Sequence, residues 1–253
     1  MRDGLKLLLL LGLMAVSNAP AGADEIRVAV AANFLTTARQ LETAFEAEHD
    51  HEVTLIAGST GLLYAQIVQG APFDLLLAAD QDRPASLEES GRGVAGSRFT
   101  YATGQLSLLV PEEKNSTDEL GQILQQAGRI ALAQPTLAPY GLAAEQTLTT
   151  LGLDAETARR RVYGLNVAQV YAVVITGNAE AGFIARSATV QNAVPDDFRV
   201  IDVPTELHAP VHQDAILLAS APHPIAAQSF LDFLRSPAAR NLIETAGYTS
   251  VAP

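Results

Sequence analysis

The amino-acid sequence predicts an α/β protein built from two blocks of alternating strands and helices. Short apolar runs of strand length alternate along the chain with segments whose apolar residues recur at helical spacing. Hydrophobic residues make up 48% of the 253 residues, so a large core can form, and the length allows one large domain or two of ordinary size. Because no Pro- or Ser-rich linker separates the blocks, we expect two lobes joined by short crossing segments.

The N-terminal residues are typical of a secretory signal. Basic residues precede the apolar run 7–16, which is too short to span a bilayer, and Ala21-Gly22-Ala23 fits a cleavage site of small residues. We therefore expect residues 1–23 to be a signal peptide cleaved near Ala23. An exported chain with no cysteine and no later apolar stretch of membrane length is expected to be a soluble protein of the bacterial periplasm.

The first block is predicted to form three strands, each followed by a helix. The strands are expected at 26–31, 53–57 and 75–78, and the last of these is entirely apolar, as a buried parallel strand should be. Asp80 is placed to cap the third helix, which we expect at 84–90.

The second block begins with a strand at 106–110 and repeats the pattern. Further strands are expected at 130–132, 182–185, 198–203 and 215–218, and helices at 141–151, 155–161 (capped by Asp154), 167–176, 224–235 and 237–246 (capped by Ser236). Crossings are expected near 103–106 and 212–215. They divide the mature chain into a first lobe of residues 24–104, a second lobe of residues 105–214 and a C-terminal part, 215–253, that returns to the first lobe.

The composition excludes several classes of function. The chain has 28 Asp and Glu against 16 Lys and Arg, a formal net charge of −12, which argues against a nucleic-acid partner. The absence of cysteine rules out disulfides, cysteine-ligated metals and a thiol nucleophile. The acid excess also disfavours an anionic ligand, unless local dipoles and N–H groups hold the anion.

Four junctions between a strand and the next helix carry small, amide or hydroxyl residues. They lie at 31–34, 57–61, 138–141 and 165–167. The first N–H groups of a helix have no partner within the helix, and the helix dipole places positive charge there. Each junction alone fits ordinary capping. Together in one cleft they would bind an anion without any Lys or Arg.

Catalytic motifs are poorly represented. The Gly-Ser-Thr-Gly segment at 58–61 lacks the Lys-Ser/Thr of a phosphate-binding P-loop and is not a nucleophile elbow. His49-Asp50-His51 would be a weak metal site in a polar turn, and Pro210 between His208 and His212 disrupts their zinc-like spacing.

Three motifs resemble the periplasmic molybdate-binding proteins of ABC transporters, the ModA family. They are Val-Ala-Val-Ala-Ala-Asn-Phe at 28–34, Ala-Gly-Ser-Thr-Gly-Leu-Leu at 57–63 and, most specifically, Gly-Ala-Pro-Phe-Asp-Leu followed by Ala-Asp at 70–80. Further matches run in order to Gly247-Tyr248 and cover essentially the whole mature chain. The resemblance implies a two-lobed type II periplasmic solute-binding fold, with a ligand cleft between the lobes that closes around a tetrahedral oxyanion.

The resemblance also implies which residues bind that oxyanion. Asn33 and Thr60, with Ser59 adjacent, correspond to the family's donors on one lobe, and the backbone amides of Tyr140 and Val167 to those on the other. Molybdenum would be bound as molybdate through these residues, with no direct bond to a protein atom and no cofactor. Tungstate has a similar tetrahedral shape.

The chain departs from the family pattern at three positions. Many members have Ser where this chain has Asn33 and where it has Thr60, and both replacements keep a hydrogen-bond donor. Many members also have a Tyr that donates its hydroxyl from the position of Ala185 here, which cannot donate. We hypothesise that the Tyr140 phenol replaces this donor; in the alternative, Tyr140 only lines the cleft.

The function expected from the resemblance is capture of molybdate, and of tungstate, and delivery to the membrane permease of an ABC transporter. The chain would be a monomer, not an enzyme, with no nucleic-acid partner. Another tetrahedral oxyanion such as sulfate is the alternative ligand. A periplasmic hydrolase that uses Ser59 or Thr60 is the alternative of a different class, although the sequence places no His or Lys base beside either hydroxyl. A sensor domain is a third alternative.

Overall fold

The computed structural model describes residues 24–112, 119–191 and 194–249, which form two five-stranded sheets with helices packed on them. The strands are β1 Glu25–Ala31, β2 Glu52–Gly58, β3 Leu75–Leu77, β4 Phe99–Gly104, β5 Leu106–Pro111, β6 Ile130–Ala133, β7 Arg161–Gly164, β8 Ala181–Ala185, β9 Phe198–Asp202 and β10 Val211–Leu217. The helices are α1 Leu35–Glu46, α2 Thr60–Val68, α3 Asp82–Glu89, α4 Leu120–Gln126, α5 Pro139–Thr150, α6 Asp154–Thr157, α7 Val167–Ile175, α8 Ser187–Gln191, α9 Pro224–Leu234 and α10 Pro237–Thr245. Short 3-10 helices lie at Ala32–Phe34, Ala158–Arg160 and Thr205–Leu207.

The two sheets have related topologies. The first has the order β2-β1-β3-β10-β4, in which β1 is parallel to β2 and β3, and β10 is antiparallel to β3 and β4. The second has the order β7-β6-β8-β5-β9, in which β6 is parallel to β7 and β8, and β5 is antiparallel to β8 and β9. We call the first sheet with α1–α3, α9 and α10 the first lobe, and the second sheet with α4–α8 the second lobe.

The chain crosses between the lobes twice. Gln105 alone separates β4 from β5, within the predicted crossing at 103–106. The second predicted crossing, 212–215, is wrong, because these residues lie in β10 and pair with β3 and β4. The return segment is 203–210, so a boundary at 214/215 would cut a strand. Gln213 and Asp214, the polar residues within the predicted crossing, are buried in β10 and are hydrogen-bonded there.

Several other elements differ from the prediction. Strands β4 and β7 and helices α4 and α8 were not predicted, and the predicted helix at 155–161 is α6 and a 3-10 turn that lead into β7. Asp154 is the first residue of α6 rather than its cap. Asp80 Oδ1 does accept a hydrogen bond from the Arg83 N–H at 3.1 Å, although Gln81 is the residue at the N-cap of α3. Ser236 caps α10 as predicted, since its Oγ accepts from the Ala239 N–H at 3.1 Å.

The apolar cores cover both faces of the first sheet. Ile26, Val28 and Val30 of β1 pack in one cluster with α1, α9 and α10, whereas Ala29 packs in another with α2 and α3. Such two-sided burial explains why β3 and residues 28–31 of β1 are continuous apolar runs. The second lobe has its own cluster, which also includes Ala31 and Ala79 from the first lobe, so the two cores meet.

The most specific sequence motif has a structural explanation at Asp74, which is 0% exposed. Its carboxylate oxygens accept hydrogen bonds from the Arg27 and His223 N–H groups, each at 2.8 Å. Asp74 therefore ties β3 to β1 and to the start of α9.

The predicted signal peptide, 1–23, lies outside the described residues, and within the part that is described no helix is both long and apolar enough to cross a bilayer.

Candidate functional site

A small pocket lies between the lobes where the four predicted junctions meet. It has about 210 Å³ of empty space, part of it open to solvent. All five predicted binding residues line it. The lining consists of Ala31, Ala32, Asn33, Gly58, Ser59, Thr60, Ala79, Ala138, Pro139, Tyr140, Asn166 and Val167. None of these side chains is charged, so any ligand specificity must come from shape and neutral hydrogen-bonding groups.

Strand order explains why the junctions converge. In the first lobe β1 and β2 are parallel neighbours, and Ala31 pairs with Gly58 at their carboxyl ends. In the second lobe β6 and β7 are parallel neighbours, and Ala133 pairs with Gly164. A helical segment follows each of these strands, so each lobe directs two helix N-termini toward the same cleft. Partial positive charge from four helix starts therefore collects around the pocket.

Capping leaves donors available at these starts. Asn166 caps α7 by accepting from the Gln169 N–H at 3.1 Å, which leaves the N–H of Val167, the first residue of the helix, outside that hydrogen bond. Ser59 and Ala138 stand at the N-caps of α2 and α5, and neither makes a side-chain capping hydrogen bond. The Tyr140 amide therefore lies in a first turn that its cap residue does not satisfy.

Ser59 is the most informative side chain in the pocket. It is 3% exposed, and its Oγ has no hydrogen-bond partner. A buried hydroxyl without a partner is uncommon and costs free energy unless a ligand or water satisfies it. A serine at an N-cap ordinarily bonds to the helix it precedes, so the free Oγ of Ser59 is consistent with a ligand-binding hydroxyl.

Thr60 has a different role in the structure. Its Oγ1 accepts a hydrogen bond from the Ala79 N–H at 3.0 Å and so joins α2 to the end of β3. The hydroxyl can still donate its own proton. Of the two adjacent hydroxyls, Ser59 is uncommitted and Thr60 is partly committed to the fold, the reverse of the emphasis taken from the resemblance.

The Asn33 side chain is also committed. Its Nδ2 donates to Gln213 Oε1 at 2.9 Å and to the Tyr248 hydroxyl at 3.2 Å, so both amide hydrogens have protein partners. The Tyr248 hydroxyl donates in turn to the Asn33 carbonyl at 2.7 Å. The donor that Asn33 can offer to the pocket is consequently its backbone N–H, in the first turn of the 3-10 helix.

The Tyr140 phenol lies deep between the lobes. Its ring is 2% exposed, and its hydroxyl accepts from Gln213 Nε2 at 3.2 Å. Burial raises the pKa of this phenol well above its ordinary value, so the hydroxyl stays protonated. Ala185 is buried in β8. Whether the Tyr140 O–H replaces the donor expected there stays a hypothesis, since the partners described for this phenol are Gln213 and the Asn33 side chain.

Direct hydrogen bonds hold the lobes together around the pocket. The Gly61 N–H donates to the Leu137 carbonyl at 2.8 Å, and Arg83 Nη2 donates to the Thr136 carbonyl at 2.8 Å. A Cβ at Gly61 would lie 3.0 Å from the Leu137 carbonyl oxygen, so any larger residue would crowd this contact. The structure therefore shows a closed arrangement of the cleft.

The histidines highlighted by the sequence lie away from this pocket. His49 stacks on Phe45 at 4.2 Å, and Nδ1 of His212 lies 2.9 Å from Thr103 Oγ1. Within residues 24–112, 119–191 and 194–249, no group of three or more side chains could hold a metal ion. No His or Lys lines the pocket, so neither Ser59 nor Thr60 has a base beside it there.

Sequence reasoning missed the buried side chains that support the pocket. Gln213, Tyr101 and Tyr248 form hydrogen bonds behind Asn33 and Tyr140, and none of them was predicted to contribute. The available signal in the sequence was the pair Gln213-Asp214, which directly precedes the apolar run 215–218. In the structure both residues belong to β10 and are fully buried.

Comparison with known proteins places this geometry in a family. Residues 26–249 match the bacterial extracellular solute-binding protein family. The molybdate-binding protein ModA of Azotobacter vinelandii is 40% identical over 94% of this chain and 93% of its own length. The ModA protein of Rhodobacter capsulatus is 37% identical over 91% of this chain and 90% of its own length.

Solved structures agree with the sequence matches. The periplasmic molybdate-binding protein of Azotobacter vinelandii superposes with a TM-score of 0.84 at 34% identity, covering 90% of this chain and 100% of that chain. The sulfate-binding protein SubI of Mycobacterium tuberculosis H37Rv superposes with a TM-score of 0.77 at 14% identity, covering 91% of this chain and 88% of that one, and this likeness shows the fold alone. The predicted two-lobed solute-binding fold is thereby confirmed. The chain belongs to the bacterial extracellular solute-binding protein family, and within it to the ModA group that its motifs resemble.

Proposed function

We propose that this protein captures molybdate, and tungstate of the same shape, in the periplasm and delivers it to the membrane permease of an ABC transporter. The observation that carries the proposal is the uncharged pocket in which the buried Ser59 hydroxyl has no partner. Relatives named molybdate-binding proteins support the choice of ligand. The family and the predicted signal peptide at 1–23 support export.

The chemistry of the pocket suits a tetrahedral dianion. Buried charge is costly unless its hydrogen-bonding capacity is satisfied, and the site offers hydroxyls from Ser59 and Thr60 with helix-start amides at Asn33, Tyr140 and Val167. These groups would hold the oxygen atoms of molybdate, with no direct bond between molybdenum and the protein and with no cofactor. Because the ligand-facing groups are donors, a fully deprotonated anion fits better than one that must donate its own proton.

Binding without catalysis is part of the proposal. The relatives are substrate-binding proteins, and the pocket lining supplies no base that could activate Ser59 or Thr60 as a nucleophile. We propose that the chain acts as a monomer. The acidic surface, with a net charge of −12, is compatible with an anion site because the pocket itself is uncharged.

Titration calorimetry of the mature chain with molybdate, tungstate, sulfate and phosphate tests this proposal. We expect one site per chain, tight binding of molybdate and tungstate, and binding of sulfate and phosphate weaker by at least about a hundredfold, which corresponds to about 2.7 kcal/mol. Preferential binding of sulfate would assign the site to another oxyanion. Weak binding of all four would overturn the proposal.

A further inference from the structure

A single buried side chain connects the two halves of the proposed anion site. Gln213 lies in β10 of the first lobe and is 0% exposed. Its Oε1 accepts from Asn33 Nδ2 at 2.9 Å and from the Tyr101 hydroxyl at 3.1 Å, both in the same lobe. Its Nε2 donates to the Tyr140 hydroxyl at 3.2 Å, across the cleft. Gln213 therefore holds one binding residue from each lobe.

The contact across the cleft depends on a glycine at the crossing. Gly104 is the last residue of β4, directly before the crossing at Gln105. A Cβ built on Gly104 would lie 2.0 Å from the Tyr140 hydroxyl and 2.7 Å from Gln213 Nε2. Any side chain at this position would separate the two groups, so the packing around Gly104 makes room for this hydrogen bond.

Each of the three residues that hydrogen-bond to Gln213 also has a further hydrogen-bond partner. Asn33 Nδ2 also bonds to Tyr248, and the Tyr101 hydroxyl shares its one proton between Gln213 Oε1 and the Ala78 carbonyl, which lies at 3.0 Å. The Tyr140 hydroxyl has the Asn33 side chain as a second partner besides Gln213, and both of these lie in the first lobe. Of the three partners, Tyr140 alone belongs to the second lobe, so loss of the Gln213 amide would remove a hydrogen bond across the cleft.

We propose that Gln213 is a positioning residue that sets how far the lobes close, and thereby the size of the anion that the site accepts. This inference rests on the proposed function. Asn33 and Tyr140 lie at helix starts on opposite sides of the pocket, and the protein's own hydrogen bonds fix their separation, together with the contact of Gly61 to Leu137. A smaller anion cannot draw the lobes closer, so its hydrogen bonds are stretched beyond the favourable range of about 2.7–3.2 Å.

The test compares Gln213→Leu, Tyr140→Phe and the double variant with wild type, by calorimetry with sodium molybdate and sodium sulfate. Stopped-flow tyrosine fluorescence gives the rates, since the chain has six Tyr and no Trp. Tyr101→Phe is the matched control, because it removes a hydrogen bond of the same Gln213 within one lobe. Thermal melts without ligand identify any variant that fails to fold, in which case Tyr140→Phe, which removes one oxygen atom, carries the test.

Loss of one neutral hydrogen bond should weaken molybdate binding about three- to tenfold in both single variants. We expect most of this loss of affinity to come from faster dissociation of molybdate. The ratio of the sulfate Kd to the molybdate Kd should become smaller in both variants, whereas Tyr101→Phe should keep the wild-type ratio. General destabilisation would lower the melting temperature without changing that ratio. The double variant should resemble either single variant, because the two groups act through one bond.

Two results would overturn the inference. If Gln213→Leu binds both anions as wild type does, the residue does not set the closure. If the effects of Gln213→Leu and Tyr140→Phe add in the double variant, the Tyr140 hydroxyl acts on the anion directly, or through Asn33, instead of through Gln213. A wild-type chain that binds no molybdate overturns the proposed function and this inference together, whereas failure in the variants alone leaves the proposed function standing.

Discussion

Replacement of Ser59 by alanine should have opposite effects on affinity and on stability. In the structure the Ser59 Oγ is buried without a partner, so the substitution breaks no hydrogen bond of the ligand-free protein. A buried unsatisfied hydroxyl costs about 1–3 kcal/mol. The free energy of unfolding of ligand-free Ser59→Ala should therefore equal or exceed that of wild type.

Affinity should fall in the same variant. A hydrogen bond to a charged group contributes about 1.5–3 kcal/mol, which corresponds to a molybdate Kd about 10- to 150-fold higher. Calorimetry gives the Kd, and urea unfolding without molybdate gives the stability. The combination of lower affinity and undiminished stability is diagnostic of a hydroxyl that serves the ligand and not the fold.

Thr60→Val is the matched control for this experiment. The Thr60 Oγ1 accepts from the buried Ala79 N–H, so valine leaves that N–H without a partner and should lower the free energy of unfolding by about 1–3 kcal/mol. The role assigned to the Ser59 hydroxyl is refuted if Ser59→Ala keeps the wild-type Kd, or if it destabilises the ligand-free protein as much as Thr60→Val does.

Three further predictions follow from buried groups near and away from the pocket. Gly104→Ala should push the Tyr140 hydroxyl away from Gln213 and weaken molybdate binding about three- to tenfold by calorimetry; an unchanged Kd would contradict the contact. Asp74→Asn should lower the free energy of unfolding by about 1.5–3 kcal/mol in urea, since an amide nitrogen cannot accept from the Arg27 or His223 N–H, while the molybdate Kd stays close to wild type. Burial raises the pKa of Tyr248 from 10.0 to about 12, so its contribution to stability is complete below pH 10 and is lost as the pH rises from 10 to 12. Tyr248→Phe should therefore show a shallower fall in unfolding free energy over that interval, and an identical slope would exclude this role.

The convergence of the junctions was predictable because it depends on local chemistry. Small and hydroxyl residues between a strand and a helix indicate a helix start at 31–34, 57–61, 138–141 and 165–167, and parallel strand pairs bring such starts to one edge. The convergence of the four junctions could be predicted without knowledge of any long-range contact. Sequence reasoning also placed β1, β2 and β6, the strands that precede the first three junctions, to within about two residues, whereas β7, which precedes the fourth, was not predicted.

The division of roles within the pocket was not predictable. Ser59 and Thr60 are adjacent hydroxyls, and only the position of the Ala79 N–H, nineteen residues away from Thr60, decides which of them is occupied. The Asn33 amide fits an anion donor by residue type, but Gln213 and Tyr248 take both its hydrogens from 180 and 215 residues away. Such long-range hydrogen bonds leave no periodic pattern in the sequence.

The misplaced crossing has the same cause. His212-Gln213-Asp214 is polar, and polarity between apolar segments is typical of a loop. Asp214 is instead buried, with hydrogen bonds from Arg98 Nη1 at 2.8 Å and the Thr100 hydroxyl at 2.6 Å. Since buried polar groups need partners, the burial of β10 depends on residues that sequence patterns cannot pair with it.

Anomalous diffraction from crystals grown with molybdate tests the central claim most directly. We predict one molybdenum peak in the pocket between the lobes, with its oxygen atoms at hydrogen-bonding distance from the Ser59 Oγ and from the Tyr140 and Val167 amides, and with no protein atom bonded to the metal. A peak at another place on the chain, or molybdenum bonded directly to a side chain, would contradict the account.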